Sequence, residues 1–161
     1  MKNKKYIFMT ITFIWVAIIY AFTLQPGEIS GDLSGSILTK ILAIFAPNIL
    51  NNPQQLEIWH TILRKCAHFG EYFILGILCR ITLSQMKIEH KNIPGIGFCL
   101  LVAMIDETIQ CFVPERAGKI FDVLIDGTGA FVGILIVAFL VNRLHTKKIK
   151  SYNSEKSLKK E

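Results

Sequence analysis

From Tyr6 to Leu24 the chain runs 19 residues without a charged side chain, and no other stretch limits its possible folds as tightly. As a helix this run is about 28 Å long, close to the thickness of a bilayer's hydrocarbon core. Lys2, Lys4 and Lys5 precede it. A cleavable signal peptide would have a shorter apolar region and a small-x-small cleavage site, which Tyr20-Ala-Phe-Thr-Leu-Gln25 does not offer. The run is therefore read as a retained first helix, ended by Pro26-Gly27. Three further apolar runs follow, at about Leu63 to Leu83, Ile93 to Phe112 and Ile120 to Val141. The 161 residues are 52% hydrophobic with a mean hydropathy of +0.44, which is too apolar for an ordinary soluble domain. The expectation is an all-α fold: one integral membrane domain, residues 1–144, built as a four-helix bundle.

Between the first and second spans lies the longest connection, residues 25 to 60, punctuated by Pro26, Gly27, Gly31, Gly35, Pro47 and Pro53. Within it, Ile37, Leu38, Ile41, Leu42 and Phe45 recur at helical spacing. About ten residues cannot cross a bilayer, so a short interfacial or re-entrant helix is expected. Trp59 and His60 suit the headgroup region. Residues 145–161 are Lys-rich and poor in apolar residues, a composition expected to be disordered or to lie on the membrane.

The charge distribution predicts the topology. The N-terminus, the loop from Arg80 to Lys91 and the tail together hold 13 of the 18 Lys/Arg and three of the 12 Asp/Glu. Lys/Arg excess marks the cytoplasmic side, so both termini are expected in the cytoplasm of a multi-pass cell-membrane protein. The net charge of +6 and pI of 9.2 are then topological, and no nucleic-acid partner is expected.

Against this background Asp106-Glu107-Thr108-Ile109-Gln110 is costly. Carboxylates at the end of an apolar helix must be compensated, and intramembrane charges usually mark function. Helical spacing puts Asp106 and Gln110 on one face and turns Glu107 about 100° away, toward Arg116 or a neighbouring helix. Arg64, His68 and Glu71 share a face at the start of the second span, with Lys65 and Tyr72 beside it. Asp122 and Asp126 stack at the start of the last, and Gly129 and Gly133 continue their face as a small-xxx-small pattern suited to close helix packing. Alternating directions bring these sets, with Arg116 of the intervening loop, to one depth near the outer leaflet. A purely structural role would pair Arg64 or Lys65 with Asp106 and Arg116 with Asp122 or Glu107, leaving His68 as a hydrogen-bonded spacer.

The site's chemistry is less constrained. No metal-ligand spacing occurs along any one segment, so no metal or cofactor is expected, although His68, Glu71, Asp106 and Asp122 could assemble from separate helices. There is no Gly-rich phosphate loop, and no serine in the cluster to act as nucleophile. Cys66, Cys79, Cys99 and Cys111 read as buried inert thiols, a Cys66–Cys111 disulfide being conceivable.

The ordered motifs Arg64-Lys-Cys-Ala-His-Phe-Gly-Glu-Tyr-Phe-Ile-Leu-Gly76, Asp106-Glu-Thr-Ile-Gln-Cys-Phe-Val-Pro-Glu-Arg116 and Asp122-x-x-x-Asp126-x-x-Gly129-x-x-x-Gly133 resemble the VanZ-like family of membrane proteins. The resemblance extends from about Phe22, with the Phe-x-x-Gln-Pro-Gly ending of the first helix, to Gly133. It implies a small multi-span protein whose characteristic positions correspond to Lys65, His68, Glu71, Tyr72, Asp106, Glu107, Gln110, Arg116 and Asp122. Two positions depart from the family pattern: Asp126 where Asn is usual, and Glu115 where Gly commonly precedes Arg. The founding member's link to teicoplanin resistance implies an effect on the cell envelope's response to glycopeptide antibiotics. Binding of a membrane lipid or lipid-linked cell-wall precursor is the expected activity. The alternative is an enzyme acting on a polyprenyl-phosphate or lipid-linked head group, with Arg116 and Lys65 as charge clamps and His68 or Glu71 as acid/base. An ion-coupled transporter would need several copies of so short a chain, and the oligomeric state is open.

Overall fold

A computed structural model describes residues 2–86 and 88–158. Lys87 of the polar loop and the last three residues of the tail lie outside the described residues. Every regular element among those described is helical: α1 (Lys2–Thr23), α2 (Gly27–Phe45), a 3-10 turn (Pro47–Asn51), α3 (Pro53–Ser84), α4 (Asn92–Gln110) and α5 (Ile120–Leu158). α1, α3, α4 and the part of α5 up to Leu144 are long and apolar enough to cross a membrane. Their outward faces carry Phe13, Ile14, Leu101, Leu124 and Phe139, all large and exposed, as lipid contact requires.

α3 is the centre of the bundle and packs against each of the other four helices, most extensively against α5. Asn52 caps its N-terminus by accepting from the Gln55 backbone N–H (3.2 Å), and Pro53 supplies a preset first turn. This start is ten residues earlier than expected, so Trp59 and His60 lie within the helix. α3 and α5 run parallel and in close contact: Gly129 and Gly133 sit against the Phe69 and Phe73 backbones, while Gly76 of α3 abuts Ala130. α1 and α4 run antiparallel to α3. Thr12 and Thr82 bond across α1 and α3 at 2.9 Å, and Arg80 of α3 donates to Asn92 at the start of α4 (2.9 Å). Ile19, Tyr72, Leu75, Cys99, Val102, Ala103, Ala130 and Ile134 fill the core.

Other expectations are revised. The short helix before α3 is 19 residues long and begins at Gly27. Gly31 and Gly35 are not breaks: a Cβ at Gly35 would lie 3.5 Å from His60 of α3, and His60 Nε2 reaches the Gly31 carbonyl and Ser34 Oγ, each at 3.1 Å. His60 therefore ties α2 to α3 instead of serving only as a headgroup anchor. Of the two states expected for the Lys-rich tail, disorder gives way to helix as far as Leu158, a continuation of α5. It contains no Pro or Gly, and Lys, Glu and Leu are good helix formers. The four cysteines are free, but only Cys79 and Cys99 are buried; Cys66 and Cys111 are exposed.

The two motifs flanking the bundle's polar end dock on each other. The Gly27 N–H donates to the Pro114 carbonyl (3.1 Å), and a Cβ at Gly27 would lie 2.4 Å from the Glu115 carbonyl oxygen. Glu115 itself has φ of 60°, the left-handed region that glycine enters at least cost. Glu115→Gly should leave the fold intact and change stability by no more than about 1 kcal/mol, in the stabilising direction, as read from thermal unfolding in detergent.

Candidate functional site

Asp106 organises the polar end of the bundle. Its depth in α4 is set by the apolar run behind it, and its carboxylate is fully buried. Thr23, at the end of α1, donates to its Oδ1. Gln110, one turn on, donates to its Oδ2 (3.4 Å) and to Glu107 Oε1 (3.2 Å). Asp106 and Gln110 thus share a face through the i,i+4 spacing.

Glu107 points elsewhere. Its Oε2 accepts the backbone N–H of Lys119 (2.7 Å), immediately before α5. The carboxylate therefore satisfies a backbone donor at a helix start and fixes the 111–119 loop against α4. Pairing with Arg116 is not seen. Arg116 donates instead to the Phe22 carbonyl (3.2 Å), closing the loop onto the end of α1. Burial, and then the Arg64 guanidinium, hold Arg116 below its ordinary pKa, with Asp106 opposing them.

The other pairings also differ from those expected. Lys65 joins Asp122 at 2.8 Å across α3 and α5, leaving Asp106 without a Lys or Arg partner among the described residues. Arg64 makes no ion pair within 4 Å among the described residues and is exposed. His68 Nδ1 stands 3.7 Å from Asp126 Oδ1, too far for a hydrogen bond. Asp126 is fully buried, and neither of its oxygens has a hydrogen-bond partner among the described residues. The Tyr72 hydroxyl, also buried, is likewise unpartnered. Gly129 and Gly133 bring α5 onto α3 and so press Asp126 toward His68 and Tyr72.

Above this buried group lies a cleft of about 270 Å3 between α1, α2 and α3. Arg64, His68, Glu71 and Arg116 provide its polar lining, and Phe22 and Leu33 are among its apolar residues. Glu71 is fixed in register because Trp15 of α1 donates to its backbone carbonyl (2.9 Å). His68 lines the cleft and also faces Asp126, so it is the link between the open and the buried groups. Lys65 and Asp122 lie to one side, while Tyr72, Asp106, Gln110 and Asp126 lie beneath.

Sequence reasoning missed Thr23, Trp15 and Ser34, another cleft residue. Thr23 had a signal: a hydroxyl at the end of the first span, at the depth of Asp106. The indole contact to a backbone carbonyl had none.

A family model described as VanZ/LLP1 matches residues 8–141. None of the curated proteins and none of the solved structures matches the chain.

Proposed function

The chain belongs to the VanZ/LLP1 family, and from that premise we propose that it binds the anionic head group of a membrane lipid or lipid-linked cell-wall precursor, and thereby alters the envelope's response to teicoplanin-type glycopeptides. The observation that carries this reading is the placing of Arg64 and Arg116 in one cleft with an apolar wall. Two guanidiniums facing a shared space repel, and a phosphate relieves that repulsion while accepting charge-assisted bonds from both. Phe22, Leu33 and Ile37 suit the first segment of a lipid chain. The positive-inside distribution supports placing this end of the bundle at the outer leaflet, where such precursors are displayed, with both termini cytoplasmic.

Binding is tested with the full chain in nanodiscs, titrated with a polyprenyl phosphate and, separately, with a neutral diacylglycerol. Arg64→Ala should weaken binding of the phosphate about tenfold or more, since hydrogen bonds to charged groups contribute about 1.5–3 kcal/mol. Arg143→Ala, at the opposite end of the bundle, should leave it unchanged. Equal affinity in wild type and Arg64→Ala, or equal binding of the neutral lipid, would sink the proposal.

A second reading, catalysis on the same head group, is favoured by one observation: His68 and Glu71 line the cleft beside the two arginines. An acid/base pair would then lie next to a bound phosphate. Turnover of a lipid-linked diphosphate that is lost in His68→Gln would establish it; binding without product would exclude it for that substrate.

A further inference from the structure

We propose that His68, Asp106 and Asp126 form a binding site for one divalent cation of the Mn2+ or Zn2+ class. The inference goes beyond head-group binding and does not depend on it. These three residues come from α3, α4 and α5, and each offers a ligand atom within 4.8 Å of the others. Ligand atoms around a metal with bonds of about 2.0–2.2 Å lie about 3–4.3 Å apart, so contraction by at most about 1.8 Å closes the shell.

Three independent features point to a cation. The first is charge: Asp106 and Asp126 are fully buried in apolar helices, and among the described residues neither has a Lys or Arg within 4 Å, Lys65 pairing with Asp122 and Arg116 donating to Phe22. A divalent ion neutralises both carboxylates at once. The second is unmet bonding: both Asp126 oxygens, His68 Nδ1 and the Tyr72 hydroxyl are buried without hydrogen-bond partners. Tyr72 is fully buried one turn beyond His68 on α3. The third is support and access. Thr23 and Gln110 orient Asp106 from behind, as residues around metal ligands do. His68 opens onto the cleft and gives the ion a path inward. One imidazole with two carboxylates suits Mn2+ or Zn2+ better than Mg2+, which prefers an all-oxygen octahedron.

Mn2+ is the probe of choice because the exposed thiols of Cys66 and Cys111 would compete for Zn2+. The full chain in nanodiscs is stripped with chelator and titrated with Mn2+ under electron paramagnetic resonance. One ion per chain is expected, with pulsed spectra showing coupling to an imidazole nitrogen. His68→Gln should remove that coupling, and Asp126→Asn should weaken binding at least tenfold, whereas Asp32→Asn on exposed α2 should do neither. Mn2+ should also raise the wild type's melting temperature. No bound Mn2+ in the wild type, no nitrogen coupling, or unchanged coupling in His68→Gln would overturn the proposal. The wild-type spectrum decides the matter even where a variant folds poorly.

Discussion

Gly76→Ala and Gly133→Ala should each cost about 3 kcal/mol or more and leave little folded protein, although alanine is the better helix former. A Cβ at Gly76 would lie 2.2 Å from the Ala130 carbonyl oxygen, and one at Gly133 would lie 2.3 Å from that of Phe73. Both obstacles are backbone, which no rotamer change can relieve, so α3 and α5 must separate. Separation would also draw Asp126 away from His68, so these variants should lose the polar site along with stability. Gly31, Gly70 and Gly97 provide the contrast, because nothing lies within 4 Å of a Cβ built on them. Alanine at these three positions should be neutral or stabilising by up to about 1 kcal/mol. Denaturation in mixed micelles reads both sets; equal effects in the two would refute the close α3–α5 contact.

Glu107→Ala should destabilise by about 2–3 kcal/mol and free the 111–119 loop. The side chain, 6% exposed, satisfies the Lys119 N–H and the Gln110 amide together, and its removal leaves both without that acceptor. Glu107→Gln keeps an acceptor oxygen and should recover part of the loss. The loop also depends on Gly118, where a Cβ would lie 2.2 Å from the Glu107 carbonyl oxygen. Faster amide exchange at Lys119 and at the start of α5 in Glu107→Ala would show that this carboxylate anchors the helix entry. Unchanged exchange would mean that packing alone holds the loop.

The spans were legible because bilayer crossing is a one-dimensional demand: enough consecutive apolar residues to match a fixed thickness. α1 and α4 end within two residues of their expected bounds for that reason. α2 was not legible at full length. Gly31 and Gly35 read as breaks in the sequence, yet in the fold both lie within one helix, where the Gly31 carbonyl meets His60 and Gly35 leaves room beside its ring. The convergence of His68, Asp106 and Asp126 followed in outline from alternating helix directions, which put polar residues at one depth.

Depth does not determine partners. Charge and spacing suggested Lys65 or Arg64 for Asp106, and Arg116 for Glu107 or Asp122. The packing instead sent Lys65 to Asp122, Arg116 to a backbone carbonyl and Glu107 to a backbone N–H. By itself the sequence determined the helices, their order and the end of the bundle at which the polar residues gather, because hydropathy and helical period act locally along the chain. Only the tertiary structure decided which charges meet and which are left unpaired. That outcome depends on the rotation and separation of α3 and α5, set by contacts at Gly76, Gly129 and Gly133 that arise only when two helices meet.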